Sequence, residues 1–339
     1  MVLHVAVRVD AGGVIGVGHA MRCATLAGAL RARDHRVTVV TRGLPAWVQQ
    51  RFDAGGCTTV VSDVPDVDDV ARPDVWIVDG YTLGAELEGL VDAGCTVVAI
   101  DDNHELPVAG SALVLNQNLH ATPELYPDIA AERLLLGPRY ALIRPDVCSL
   151  DPAPLPLVGS VVLLAFGGTD PARLTLPVAT GLAAVGGIEM IVALGADHPD
   201  RAAVAALDGV RFDRGDLSDG FGESHLAVIG GGSTLWEVGV VGLPALAVVV
   251  ADNQVDGTAA AAAAGFVESA DARGDTFDPD VLVERVRTLL ADHPRRAAMA
   301  SAGRGLFDGD GPRRVSTAVA ALVEPTRYRS ATGGAAPVD

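Results

Sequence analysis

Arg8-Val-Asp-Ala-Gly-Gly-Val-Ile-Gly-Val-Gly-His-Ala-Met-Arg-Cys23 joins an apolar run, Val2 to Val9, to a helical segment through a glycine-rich turn. The run is apolar enough for a central strand, and Gly12, Gly13, Gly16 and Gly18 let the backbone turn sharply and come close to a ligand. His19 then falls at the mouth of the following helix, where unpaired N–H groups and the positive dipole end favour polar or anionic ligands. An imidazole there could take a proton from water near neutral pH. The same pattern also suits a plain strand-to-helix turn, since the spacing is not that of the dinucleotide fingerprint.

Working outward, strand and helix patterns alternate. Strands are expected at Arg36 to Thr41, Thr58 to Ser62, Val75 to Asp79, Thr96 to Ile100 and, as the last of this half, Leu113 to Asn116. Helices are expected over Leu44 to Ala54 and Leu83 to Ala93, with a polar connection over Asp63 to Arg72. Pro152, Pro154 and Pro156 cannot sit inside a helix and mark an extended linker. The pattern then restarts with Ser160 to Ala165, a turn at Phe166 to Asp170 and a helix through about Val185. Ile188 to Leu194, Val210 to Phe212, Leu226 to Ile229 and Ala245 to Val250 read as strands, a helix begins around Ala259, and two helices close the chain near Pro279 to Leu290 and Arg313 to Val323. The expected architecture is α/β, with two Rossmann-like doubly wound domains, 1–150 and 151–324, facing across a cleft, and a polar, disordered tail over 325–339.

At 339 residues the chain can form two cores, and 49% hydrophobic residues argue against disorder. A formal charge of −18, with no lysine, disfavours generic binding to nucleic acid or to anionic membranes. Apolar runs such as Pro244 to Ala251 are too short to span a bilayer. Cysteines 23, 57, 95 and 148 form no C-x-x-C pair, which suggests buried thiols in a reducing cytoplasm rather than zinc or disulfides. A monomer or weak dimer without cofactor or metal is expected.

The second half carries the better phosphate signal. Gly230, Gly231 and Gly232 lie between a strand and a helix, and Ser233 and Thr234 offer caps or hydroxyl donors. Successive free N–H groups there could hold a diphosphate, and Glu237 one turn on could accept from ribose hydroxyls; a tight turn with an exposed Glu is the alternative. Gly168 and Thr169 repeat the logic at the earlier turn. Tyr81 could hydrogen-bond a sugar or the leaving oxygen, and Asn253 with Gln254 could read sugar hydroxyl or acetamido groups. Arg8 and Asp10 either position substrate or form a structural ion pair, and Asp10 could orient His19. Asp101 and Asp102 suit a solvated loop better than a metal site.

These blocks, Ile-Gly-x-Gly-His19, Met-Arg-Cys23, Val-Asp-Gly-Tyr81, Ile-Asp-Asp102, Leu-Leu-Gly-Pro-Arg-Tyr-Ala-Leu-Ile-Arg144, Phe-Gly-Gly-Thr-Asp170, Gly-Gly-Ser-Thr-Leu-Trp-Glu237 and Ala-Asp-Asn-Gln254, occur in the order found in the PseG family, which they resemble. That family comprises UDP-sugar hydrolases of GT-B fold, like the glycosyltransferase MurG and related to SpsG-like proteins of spore coat polysaccharide biosynthesis. The resemblance implies a metal-independent inverting hydrolase of a UDP-linked deoxyamino sugar, with His19 as general base, Gly231, Gly232, Ser233, Thr234 and Glu237 on UDP, and Tyr81 and Asn253 facing the sugar. A GT-B glycosyltransferase that uses His19 to deprotonate an alcohol is the alternative. The chain departs from the family at His225, where an aspartate is usual, and at Gly80, where a bulkier residue is common and whose small size would widen the pocket.

Overall fold

The computed structural model describes residues 1–12, 16–62, 70–151, 154–167, 169–274 and 277–323. In the first domain β1 (His4–Val9), α1 (Gly18–Arg31), β2 (Arg36–Thr41), α2 (Ala46–Ala54), β3 (Thr58–Val61), β4 (Val75–Asp79), α3 (Gly84–Asp92), β5 (Val97–Ile100), β6 (Leu113–Asn116) and β7 (Leu134–Leu136) follow in turn. All seven strands are parallel, in the order β3-β2-β1-β4-β5-β6-β7. Alternate residues of the central strands serve opposite faces. Val5, Val7, Val75 and Ile77 pack under α1, whereas Ala6, Val40, Trp76 and Val78 pack on the other side. Burial on both faces is why β1 and β4 are almost wholly apolar. Cys23, Leu26, Ala27 and Leu30 recur at helical spacing and press α1 onto the sheet.

After α4 (Pro145–Cys148), the second domain runs β8 (Val161–Ala165), α5 (Thr175–Val185), β9 (Glu189–Val192), α6 (Arg201–Ala205), β10 (Val210–Phe212), α7 (Ser218–Glu223), β11 (Leu226–Gly230), α8 (Thr234–Val241), β12 (Ala245–Val249), α9 (Val255–Ala263), β13 (Val267–Asp271), α10 (Asp280–Ala291), α11 (His293–Leu306) and α12 (Gly311–Ala321). Its parallel sheet has the order β10-β9-β8-β11-β12-β13. In each sheet the order reverses between the first strand and the fourth, and it is outside the carboxyl ends of strands at such a switch point that open α/β sheets bind ligands.

Several expectations are revised. Strand β7 adds to the first sheet beyond β6, β13 closes the second sheet, and α11 makes three closing helices instead of two. Helix α9 begins at Val255, four residues before the expected Ala259, because Asp252 to Gln254 already form a helical turn that runs into it. The chain also crosses between domains twice. Ala141, Ile143 and Val147 are buried in the second domain's core, although they precede residue 150. Helix α12 returns to the first domain, where Val315 and Val319 join the core of α1. The two crossings touch: a Cβ on Gly311 would stand 2.1 Å from the carbonyl oxygen of Ala141, so only glycine fits. The expected tail over 325–339 lies outside the described residues, as does most of the connection over Asp63 to Arg72.

Candidate active site

The carboxyl end of β4 delivers Asp79, and the first turn of α1 delivers His19 beside it. His19 Nδ1 lies 2.7 Å from Asp79 Oδ1. Arg22, one turn further along the same helix face, donates to both oxygens of that carboxylate at 2.7 and 2.6 Å, and its third nitrogen pairs with Asp102. Cys23 Sγ adds a contact to Asp79 at 3.3 Å. Asp79 is fully buried. Burial opposes its charge, but the Arg22 guanidinium and the His19 ring outweigh that and hold it far below the usual carboxylate range. Nδ1 also lies 3.0 Å from Arg22 Nη2, which donates to Asp79 at 2.6 Å; the shorter contact with a carboxylate that can only accept places the proton of the neutral ring on Nδ1 and the lone pair on Nε2. Among the described residues Nε2 has no hydrogen-bond partner.

Asp79 therefore does for His19 what was expected of Asp10. Asp10 is instead locked into a separate knot. Arg8 grips it bidentately at 2.6 and 2.7 Å, the backbone N–H of Arg42 donates to it at 2.7 Å, and Thr41 Oγ1 does so at 3.2 Å. Arg8 also reaches Glu86 at 2.5 Å and is 1% exposed, which leaves it no path to a substrate. Of the two roles open to Arg8 and Asp10, the structure supports the ion pair. The knot fixes the start of the turn that carries His19, where Gly12 (φ +113°) and Gly16 (φ +75°) pair with each other across its base.

Tyr81, two residues beyond Asp79, sets its ring edge-on to His19 at 4.5 Å between centroids. Its hydroxyl accepts from Asn253 Nδ2 of the second domain at 3.3 Å, a hydrogen bond that spans the cleft. Although the residue as a whole is 40% exposed, partial desolvation of the hydroxyl, reinforced by the nearby Asp102 charge, raises the phenol above its ordinary value, so the hydroxyl stays protonated. Gly80, between Asp79 and Tyr81, takes φ +155°, a conformation that other residues rarely adopt, and a Cβ there would stand 3.1 Å from Leu83.

On the facing wall, Gly230 ends β11 and Thr234 opens α8. A Cβ on Gly231 would lie 2.3 Å from Thr258 Oγ1, so α9 packs too closely here for any other residue. Neither Ser233 nor Thr234 caps the helix through its side chain. Among the described residues the N–H groups of Gly232, Ser233 and Thr234 have no hydrogen-bond partner, and the turn that carries them lies beside Gly18 of the first domain, whose Cβ position is 3.8 Å from Ser233 Oγ. Gln254 is placed differently from its expected sugar contact. Its Oε1 accepts from the Val250 N–H at 2.9 Å, and its side chain supports Gly231. Thr169 is exposed on the neighbouring turn, whereas Gly168 lies outside the described residues. Glu237 pairs with Arg144 at 2.8 Å. The departure at His225 is structural: its Nδ1 accepts from the N–H groups of Ser160 and Val161 at 3.0 and 3.1 Å.

Asp79, Arg22, Asp102 and Arg144 were not singled out from the sequence as site residues. The usable signals were position and spacing, with Asp79 at the end of the strand beside β1 and Arg22 three residues after His19. Asp101 is taken up by the N–H groups of Glu105 and Leu106, and among the described residues no three potential ligands converge on a metal position. No helix among the described residues is long and apolar enough to cross a membrane.

Two Rossmann-like domains with their switch points facing across a cleft define a protein of the GT-B fold. No family model matches the chain. By sequence the chain is similar to the spore coat polysaccharide biosynthesis protein SpsG of Bacillus subtilis, with 22% identity over 95% of this chain and 99% of that one. Among solved structures it resembles the glycotransferase of kitacinnamycin (TM-score 0.67, 17% identity, 95% and 99% of the two chains) and MurG of Acinetobacter baumannii (0.66, 16%, 94% and 99%). It also resembles S. aureus MnaA solved with UDP (0.67, 11%, 94% and 96%).

Proposed function

We propose that the chain is an inverting enzyme acting on a nucleotide sugar, in which the His19–Asp79 pair activates a hydroxyl that displaces the nucleotide from the anomeric carbon. The observation that carries this is the placement of a lone-pair-bearing His19 Nε2 on one wall and three free N–H groups at the start of α8 on the other. The acceptor oxygen bonds to the anomeric carbon as Nε2 takes its proton, and the bond from that carbon to the diphosphate oxygen breaks. The leaving charge falls on the α8 N-terminus, where aligned N–H groups stabilise it. A single base and a leaving group on opposite walls suit one direct displacement, hence inversion. A correctly placed base contributes on the order of 10²–10⁴-fold.

Transfer to an alcohol is the leading form, because glycosyltransferases share the fold and SpsG is by name a polysaccharide biosynthesis protein. Hydrolysis is the second form, favoured by the likeness of Gly-x-Gly-His19 and Val-Asp-Gly-Tyr81 to the PseG hydrolases. Tyr81 and Asn253 would face the sugar in either. A ³¹P and ¹H NMR time course with UDP-deoxyamino sugars, with and without alcohol acceptors, separates the forms. UDP release that waits for an alcohol identifies a transferase, and release in buffer alone identifies a hydrolase. Intact UDP-sugars under every condition would overturn both.

A further inference from the structure

The nucleotide reading gives Glu237 to the ribose, yet this carboxylate does not stand alone. It projects from α8 with one oxygen, Oε1, bound to Arg144 Nε at 2.8 Å. Among the described residues no hydrogen bond reaches Oε2. Arg144 is not a residue of the second sheet. It comes from the segment between the domains, one position before α4, and its side chain is 7% exposed. Its Nη2 donates to the backbone carbonyl of Asp216 at 2.9 Å, in the loop between β10 and α7. That loop is itself tightly held: Asp213 accepts from the N–H groups of Gly215 and Leu217 at 2.7 and 2.8 Å. Asp146 approaches Arg144 at 3.4 Å and Arg51 of α2 at 3.3 Å, which continues the charge chain into the first domain.

We infer that Arg144 is a positioning residue for nucleoside recognition, holding Glu237 so that Oε2 faces a ribose hydroxyl and tying that contact to the segment that joins the domains. The inference rests on the nucleotide reading above. The geometry suits the task. A planar fork can serve a carboxylate on α8 and a carbonyl on the β10–α7 loop at once, which fixes their separation, and a lysine cannot do both. Buried glutamates unsupported by a cation take up a proton and become donors as well as acceptors, so removing Arg144 also degrades Glu237 as a hydroxyl acceptor.

The test is calorimetric binding of UDP and of 2′-deoxy-UDP to wild type, Arg144→Gln, Arg144→Lys, Glu237→Gln and the Arg144→Gln/Glu237→Gln double variant, each checked for folding by circular dichroism. Wild type should prefer UDP over its deoxy analogue. Arg144→Gln should weaken UDP on the order of tenfold, as for a lost charge-assisted hydrogen bond, leave 2′-deoxy-UDP nearly unchanged, and so collapse the ratio as Glu237→Gln does. The double variant should bind UDP no more weakly than Glu237→Gln alone. Arg144→Lys should fall between wild type and Arg144→Gln, and it carries the test should the glutamine variant fail to fold. A ratio preserved in the Arg144 variants but lost in Glu237→Gln overturns the positioning role while sparing the nucleotide reading. Absence of UDP binding by folded wild type overturns both.

Discussion

Replacing Asp79 by asparagine tests the electrostatic design of the site. In the native protein this carboxylate accepts from His19, twice from Arg22 and from Cys23, with no solvent access. The amide keeps the shape, removes the charge and introduces an NH₂ group where only acceptors fit. Two losses follow. His19 is no longer obliged to hold its proton on Nδ1, and a flip of tautomer would place a hydrogen on Nε2, the atom that must accept. A mispositioned tautomer of this kind costs on the order of 10⁴-fold in a catalytic triad, so a loss of ~10²–10⁴ in kcat is expected here. Arg22 meanwhile keeps only Asp102, and breaking a buried ion pair on one side costs about 3–5 kcal/mol, less whatever the amide oxygen recovers. Turnover measured by UDP release should therefore collapse at temperatures where circular dichroism shows the variant folded, and its urea midpoint should fall. A folded Asp79→Asn variant that keeps kcat within about threefold would refute the argument that Asp79 sets the state of His19.

Further outcomes follow from neighbouring contacts. Arg8→Met should lower stability by up to about 3–5 kcal/mol, since it removes the buried one of the two arginines that bridge Asp10 and Glu86 and leaves only the half-exposed Arg42 between them, while KM in any folded fraction stays close to wild type. A large rise in KM without loss of stability would restore a substrate contact for Arg8. Gly231→Ala forces a methyl to within 2.3 Å of Thr258 Oγ1, so urea titration should show a loss of about 1–3 kcal/mol and calorimetry weaker UDP binding. For pH, burial raises Glu237 above its ordinary 4.5, with Arg144 opposing. A folded state that binds this proton more tightly than the unfolded chain loses stability as pH rises from about the unfolded value through the folded one. Asp79 contributes in the opposite sense, its stabilisation being present above its unfolded value and lost only in strong acid. Glu237→Gln should therefore flatten the decline of the urea midpoint above pH 4.5 and leave the acid limb intact.

The fold was legible because both sheets announce themselves through buried parallel strands, Val5 to Val9 in the first and Ala245 to Val249 in the second. What the sequence hid is mostly tertiary. Strand β13 contains Glu268, Ser269 and Asp271 and is half-exposed at a sheet edge, so it lacks an apolar run. Helix α11 is rich in arginine and alanine and buries only one narrow face. Helix α12 follows the second domain in sequence, yet its apolar stripe was cut for α1, a match that no local pattern reveals. In the site, the glycine turns and His19 were visible as motifs. Asp10 and Asp79 were equally acidic and equally placed at strand ends, and the choice between them depended on which carboxylate Arg8 had already captured. Glu237 was visible as a ribose candidate, but its arginine partner stands 93 residues away in sequence.

The most direct measurement pairs UDP binding with turnover in His19→Ala. With a UDP-sugar that the wild type consumes, the variant should bind UDP as wild type does, because the proposed diphosphate contacts lie on the other domain, while UDP release falls by at least two orders of magnitude. Release at the wild-type rate from a folded His19→Ala protein would contradict the claim that His19 and Asp79 form the base of a nucleotide-sugar enzyme.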